Sequence, residues 1–341
     1  MTNILVTGGS GFLGSAIVKE LCEFSVPFTP GLIRIFDLKE PAFAVSGNIE
    51  YVHGDIRDYP ELLKAHENID LVIHSAAVVD WGMLTEEEVL AINVTGTKNV
   101  IRACIEKKIP HLVYTSSLDA VFTGKPLVNI TEDQPYPAHH HTSYCASKRL
   151  AEEAVIQANG TGLRTVVLRP SDIYGEADPF HIGSLINMAK GGFYVRLGND
   201  RAHCQHVYVR NIAWAHLLAA YALLQNNLKV FGQKYFITDA PGSNFFRFFD
   251  RIVEGAGYRI WPNNLWIPRP VAMFIGACSE FMAVLVRPFK KYQPKFSRFA
   301  VIYTCTDFTF NSDKAAADFG FRPKYSEEEA YERTVAFYRN A

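Results

Sequence analysis

Ile4-Leu5-Val6-Thr7-Gly8-Gly9-Ser10-Gly11-Phe12-Leu13-Gly14 is the stretch around which the rest of the chain is organised. A short apolar run ends in a glycine loop, and a helix-like apolar pattern follows through Ile17, Val18 and Leu21. In the order strand, turn, helix, Gly8 permits the tight turn, Gly11 lets backbone approach a pyrophosphate, and Gly14 allows helix to pack closely on strand. Phosphates would then face the first helical turn, at Phe12 and Leu13, where free N–H groups and the positive dipole end stabilise anions. The reading is of a dinucleotide site at the chain start.

Working outward, Leu32-Ile33-Arg34-Ile35-Phe36 reads as a second strand ending at Asp37. A carboxylate there can accept both adenosine ribose hydroxyls and repels a 2′-phosphate, which favours NAD over NADP. Lys39 nearby would partly offset that repulsion. A third strand closes in Tyr51-Val52-His53-Gly54-Asp55-Ile56, with Asp55 and Ile56 placed to meet adenine. Asp70 to His74 reads as a fourth strand, and the small residues Ala76 and Ala77 after it let a cofactor lie across the strand tips. His74 has no partner histidine at ligand spacing and reads as a packed histidine. A helix from about Glu86 carries Asn93, and His111 to Ser117 is a fifth strand with Ser117 at its C-terminal end, the edge where open parallel sheets bind ligands.

Composition narrows the classes. The 341 residues carry 34 basic and 35 acidic side chains, a net charge of −1, with no block of either sign, so nothing calls for nucleic acid. Cys22, Cys104, Cys145, Cys204, Cys278 and Cys305 are scattered without a C-x-x-C pair, reading as reduced thiols and offering no metal-ligand motif. A strand beginning by Asn3 leaves no room for a signal peptide, so a cytoplasmic location is expected.

Tyr144-Cys145-Ala146-Ser147-Lys148 adds chemistry. Residues four apart share a helix face, so the Lys148 ammonium would lie near the Tyr144 phenol and favour its ionised form. Such a phenol can exchange a proton with a carbinol oxygen beside a hydride acceptor.

The ordered set Thr7-Gly8-x-x-Gly11-x-x-Gly14, Asp55, His74-x-Ala76-Ala77, Asn93, Ser117, Tyr144-x-x-x-Lys148 and Arg169-Pro170-x-x-Ile173-Tyr174-Gly175 resembles the extended short-chain dehydrogenase/reductase superfamily. Within it, Tyr114-Thr115-Ser116-Ser117, Val207-Tyr208-Val209-x-Asn211-Ile212-Ala213-Trp214-Ala215-His216 and Phe308-Thr309-Phe310 are similar to the 3β-hydroxysteroid dehydrogenase/isomerase family. The resemblance implies Tyr144 as acid/base, Lys148 lowering its pKa and holding the nicotinamide ribose, and Ser117 bonding the reacting oxygen. It also implies Asn93 steadying the proton-relay helix and Pro170 packing near the nicotinamide. Arg210 departs from the pattern and reads as a surface charge or as a partner for an acidic substrate group.

The expected fold is α/β: a Rossmann-type doubly wound parallel sheet in residues 1–175, completed by later segments, with a smaller C-terminal α+β lobe in 176–341 for substrate. Phe245, Phe246, Phe248 and Phe249 read as helix packing or as a wall for a fused-ring hydrocarbon. Residues 271–286 are the most apolar run, too short for a confident span; a membrane-surface helix on the cytoplasmic face, a buried helix and a homodimer contact are its three readings. Pro288, Arg287, Lys290, Lys291 and Lys295 follow it as a terminator and headgroup partners. The expected reaction is NAD-dependent oxidation of a 3β-hydroxyl on a steroid- or sterol-like lipid. The alternatives are a sterol 4α-carboxylate 3-dehydrogenase, a nucleotide-sugar epimerase or ketone reductase, and a non-catalytic NAD-binding redox sensor.

Overall fold

The computed structural model describes residues 1–340 apart from 24–26, 46, 81–82 and 287–295, and the side chain of residue 284. Arg287, Pro288, Lys290, Lys291 and Lys295 therefore lie outside the described residues.

Seven parallel strands form the central sheet: β1 (Thr2–Thr7), β2 (Pro30–Asp37), β3 (Ile49–His53), β4 (Leu71–His74), β5 (His111–Thr115), β6 (Arg164–Pro170) and β7 (Gln233–Ile237). Their spatial order is β7-β6-β5-β4-β1-β2-β3, so the direction of winding reverses between β1 and β4. That reversal opens a crevice at the carboxyl ends of the strands, the ligand position of doubly wound sheets. The expected fold is the observed one.

Strand residues alternate between two cores because successive side chains leave opposite faces of the sheet. Ile4, Val6, Ile33 and Ile35 pack with helices Phe12–Cys22 and Val209–Leu224, whereas Leu5, Val72, Leu112 and Val167 pack with helices Gly96–Glu106 and Ser143–Ala158. At about 25 cal/mol per Å² of apolar surface removed from water, two such layers on one sheet supply the main drive to fold.

The sheet and the second half of the chain interlock. β7 belongs to the central sheet although it comes from residues 233–237. Residues 127–130 pair in turn with Phe308–Phe310. Two further short parallel ladders pair Asp172–Tyr174 with His206–Tyr208 and Arg196–Leu197 with Trp266–Ile267.

The phenylalanine cluster is packing. Phe245, Phe246 and Phe249 are buried on helix Phe245–Gly255, with Phe248 partly so, against Tyr174, His181, His206 and Trp266.

Helix Arg269–Val286 has two unlike faces. Gly276 lies so close to the Ser297–Arg298 backbone that a Cβ would stand 2.9 Å from the Arg298 nitrogen, and Glu280 accepts from both the Arg298 backbone and guanidinium at 2.7 Å. Opposite, Val271, Phe274, Ile275, Phe281, Met282 and Leu285 are exposed. Among the described residues no helix is long and apolar enough to cross a membrane.

Candidate active site

The glycine loop meets the tip of β4. Gly8 has φ +72° and donates its N–H to the Phe36 carbonyl; a Cβ there would lie 2.7 Å from the Ala76 backbone. A Cβ on Gly14 would stand 2.0 Å from the Gly8 carbonyl oxygen, so both positions require glycine. Gly11 is the N-cap of helix Phe12–Cys22 with no side-chain cap, which leaves the first-turn N–H groups at Phe12 and Leu13 for an outside anion. The Ser10 hydroxyl is buried there without a hydrogen-bond partner.

Asp37 sits at the end of β2 and accepts the Ser10 N–H at 3.0 Å, which ties a carboxylate to the glycine turn. Asp55 is engaged by Arg57, whose guanidinium reaches it at 2.6 Å and holds its carboxyl below the usual range. Ile56 beside it is buried against Gly96. Ala76 and Ala77 follow the tip of β4, with the Ala76 backbone against Gly8, and Pro170 ends β6. A cradle that refuses a Cβ, an uncapped helix start and a carboxylate at the next strand tip fit a dinucleotide.

His74 is a packed histidine, as the sequence indicated. Its two nitrogens meet Thr7 Oγ1 at 2.7 Å and Thr97 Oγ1 at 2.9 Å, and burial pushes it down to about 3, so it stays neutral.

Tyr144 lies buried in the first turn of helix Ser143–Ala158, whose N-cap Thr142 accepts the Cys145 N–H. The phenol lies near Ser117, whose hydroxyl works to lower its pKa. Lys148, one turn on, donates its ammonium to the Thr115 carbonyl at 2.9 Å and stands 5.9 Å from the centre of the Tyr144 ring. Asn93 sits in a single π-turn, Ala91–Thr95, where it exchanges hydrogen bonds with the Val78 backbone and donates to Ser147 Oγ at 2.9 Å. Ser147 in turn donates to the Tyr144 carbonyl at 2.7 Å, so Asn93 braces the turn that carries the tyrosine. Single π-turns inside α-helices recur at functional sites.

The electrostatics depart from expectation. Lys148 was expected to make Tyr144 acidic, but burial first and the Asp119 charge second push the phenol well above its usual range. Burial also lowers Lys148 to about 8. The reason is geometric: the ammonium points to the Thr115 carbonyl, while Asp119 lies two residues beyond Ser117 and accepts its hydroxyl proton at 2.9 Å. Asp119 itself is raised to about 7, chiefly by burial and then by Asp172.

Three acidic groups escaped the sequence reading. The short hydroxyl-to-carboxylate spacing from Ser117 to Asp119 was the signal for the first. Glu152, four residues after Lys148, forms a buried ion pair with Arg169 at 2.5 Å and accepts from Ser116 and Tyr136 at 2.6 Å each. Asp172 accepts the Tyr303 hydroxyl at 2.6 Å.

Arg210 is no substrate partner. It is ion-paired with Glu20 at 2.5 Å and with Glu23 on helix Phe12–Cys22, and Lys324 and Tyr325 join the same cluster. The run around it is structural too: Asn211 exchanges hydrogen bonds with the Tyr325 backbone, and His216 meets Thr115 Oγ1 at 2.7 Å beneath the site.

Residues 5–266 match the family model described as 3-beta hydroxysteroid dehydrogenase/isomerase. The chain is 33% identical over 340 residues to a sterol-4-alpha-carboxylate 3-dehydrogenase, decarboxylating, of Schizosaccharomyces pombe, covering 99% of this chain and 97% of the relative. It is likewise 33% identical over 358 residues to 3 beta-hydroxysteroid dehydrogenase type 7 of Homo sapiens, covering 99% and 95%. Among solved structures, MoeE5 in complex with UDP-glucose and NAD superimposes with a TM-score of 0.76 at 19% identity, covering 99% of each chain, a likeness of fold alone.

Proposed function

The chain belongs to that family and is an NAD(P)-dependent oxidoreductase acting on CH–OH, and from this premise we propose that it oxidises the 3β-hydroxyl of a steroid- or sterol-like lipid to the ketone. The observation that carries the reading is the buried Tyr144 phenol beside Ser117 at the carboxyl edge of the sheet, the edge that also carries a glycine cradle shaped for a dinucleotide. We assign residues 1–175 to cofactor binding and 176–341 mainly to substrate.

NAD supplies the hydride acceptor when bound. Tyr144, as the phenolate, takes the carbinol proton and Ser117 holds the reacting oxygen. Lys148 brings positive charge near the phenol and the ribose, and Asn93 keeps the tyrosine turn in place. Positioning and proton transfer of this kind are each recognised sources of rate. Gly8, Gly11, Phe12, Leu13 and Gly14 hold the pyrophosphate. Asp37 takes the adenosine ribose and makes NAD the preferred cofactor over NADP; Asp55 and Ile56 lie at adenine, Ala76, Ala77 and Pro170 along the nicotinamide side.

A second reading narrows the substrate to a sterol bearing a 4α-carboxylate. Its support is the identity to the fission-yeast enzyme along nearly its whole length. A ketone formed beside that carboxylate withdraws electrons from the bond to carbon dioxide, so loss of the carboxylate needs no further protein group.

The exposed apolar face of helix Arg269–Val286 suits a bilayer surface on the cytoplasmic side, where a water-insoluble substrate resides; a second copy of the chain is the competing occupant. The reaction is tested by supplying 3β-hydroxysterols with and without a 4α-carboxyl group, with NAD and NADP in parallel, and following reduced nicotinamide fluorescence and product mass. A 3-ketone formed with NAD is expected; a broad panel giving no turnover with either cofactor refutes the reading.

A further inference from the structure

Beyond the Tyr144 site lies a second cluster of side chains, none of which the hydroxyl oxidation uses. In the parallel ladder of Asp172–Tyr174 with His206–Tyr208, Asp172 and His206 are direct partners. Partners in register place their side chains on one face, and a residue two positions back shares it. Cys204 is that residue, and its backbone is clamped by paired hydrogen bonds of 2.9 Å to Ser243. One donor atom each from Asp172, Cys204 and His206 falls within 4.8 Å of the others.

The donors are held. His206 is 1% exposed and stacks flat on Phe248, with ring centres 3.9 Å apart. Its Nε2 stands 3.9 Å from Cys204 Sγ. Tyr303 fixes Asp172 through Oδ1, which leaves Oδ2 buried without a hydrogen-bond partner. His181 approaches from the start of helix Ile182–Lys190, its Nε2 3.9 Å from Asp172 Oδ1.

We propose that Asp172, Cys204 and His206 form a zinc-type divalent metal site. A tetrahedral zinc with Zn–S of about 2.3 Å and Zn–N of about 2.0 Å places sulfur and nitrogen about 3.5 Å apart, within a small side-chain adjustment of the spacing here. One thiolate with an imidazole and a carboxylate suits zinc, and the soft sulfur disfavours magnesium and calcium. Cys204 binds as thiolate, its proton leaving to solvent. Tyr303 on the carboxylate and the phenylalanine wall supply the outer support that such ligands require. The three protein donors come from both sides of the short ladder, so the metal staples the segment after β6 to the strand that leads into helix Val209–Leu224. Sequence spacing hides the site because its donors come from two stretches more than thirty residues apart.

The test uses the full chain stripped with chelator and dialysed against cobalt(II). The expected result is about one cobalt per chain, with a thiolate-to-cobalt band in the near ultraviolet, intense tetrahedral bands in the visible, and loss of both on adding zinc. Cys204→Ser should abolish the thiolate band, and His206→Ala should cut bound metal about tenfold or more, whereas Cys278→Ser, at an exposed thiol elsewhere, should change neither. Circular dichroism of the metal-free proteins confirms folding, and Asp172→Asn replaces any variant that does not fold. A missing thiolate band, a band that survives Cys204→Ser, or retention of less than about a tenth of an equivalent of zinc overturns the assignment.

Discussion

Ser117 donates its hydroxyl proton to Asp119 at 2.9 Å and accepts the Asp119 backbone N–H at 3.1 Å, forming a closed two-residue turn at the tip of β5. An ionised Asp119 thus competes with a substrate oxygen for the serine proton and holds a negative charge near the Tyr144 phenol. Both effects oppose alcohol oxidation, and both fade once the carboxyl is protonated.

Asp119→Asn is therefore expected to lower the phenol pKa and move the acid limb of kcat/KM for oxidation to lower pH by about one unit, the usual scale for one nearby charge. The same group links stability to pH. Its folded pKa, raised to about 7, lies above the unfolded value, so its contribution is full below about 3.9 and is lost as pH rises through 7. The Tm gained by Asp119→Asn should be larger at pH 8 than at pH 5. An unmoved acid limb would remove Asp119 from the proton balance.

Tyr144→Phe keeps the buried ring and removes only the hydroxyl. Turnover is expected to fall by about 10²–10⁴, the range for one general acid/base, while NADH affinity measured by fluorescence stays within about twofold. Turnover at the wild-type rate would end the assignment of Tyr144 as the proton carrier.

Glu152→Gln leaves Arg169 buried without its counter-charge, in a place where the guanidinium already has one nitrogen unpartnered. Loss of one partner from such a pair costs about 3–5 kcal/mol, readable as a shifted urea midpoint. A midpoint within error of wild type would mean that Ser116 and Tyr136 hold the helix on their own.

Phe274→Glu combined with Phe281→Glu places two charges on the exposed stripe of helix Arg269–Val286, far from the Gly276 and Glu280 contacts. Co-flotation with anionic liposomes should drop severalfold, with activity on detergent-dispersed sterol retained. Wild-type protein that never floats would leave the stripe to a second copy of the chain.

Much of this was legible in the chain before any coordinates. Gly8 and Gly14 could be read because their constraint is local: a turn and a close approach need only a few neighbours. The Tyr144–Lys148 spacing was equally plain on a helix, yet the direction of its electrostatics was not, since desolvation and the Asp119 charge depend on burial. Arg210 showed the same limit, its partners Glu20 and Glu23 lying far away in the chain on the first helix. The Asp172–Cys204–His206 group was invisible for a related reason, a ladder register that no spacing rule encodes.

The strand Gln233–Ile237 has a consequence for how such enzymes diversify. It pairs in register with the flank from Val166 through Pro170, and its Phe236 N–H is taken by Glu132. A fragment stopping at residue 175 would bare that flank as a sticky, unpaired border and fail as an independent nucleotide binder. New specificities must then arise by remodelling the loops and short ladders on either side of this strand, because exchanging the second half as a cassette would tear a stave from the first.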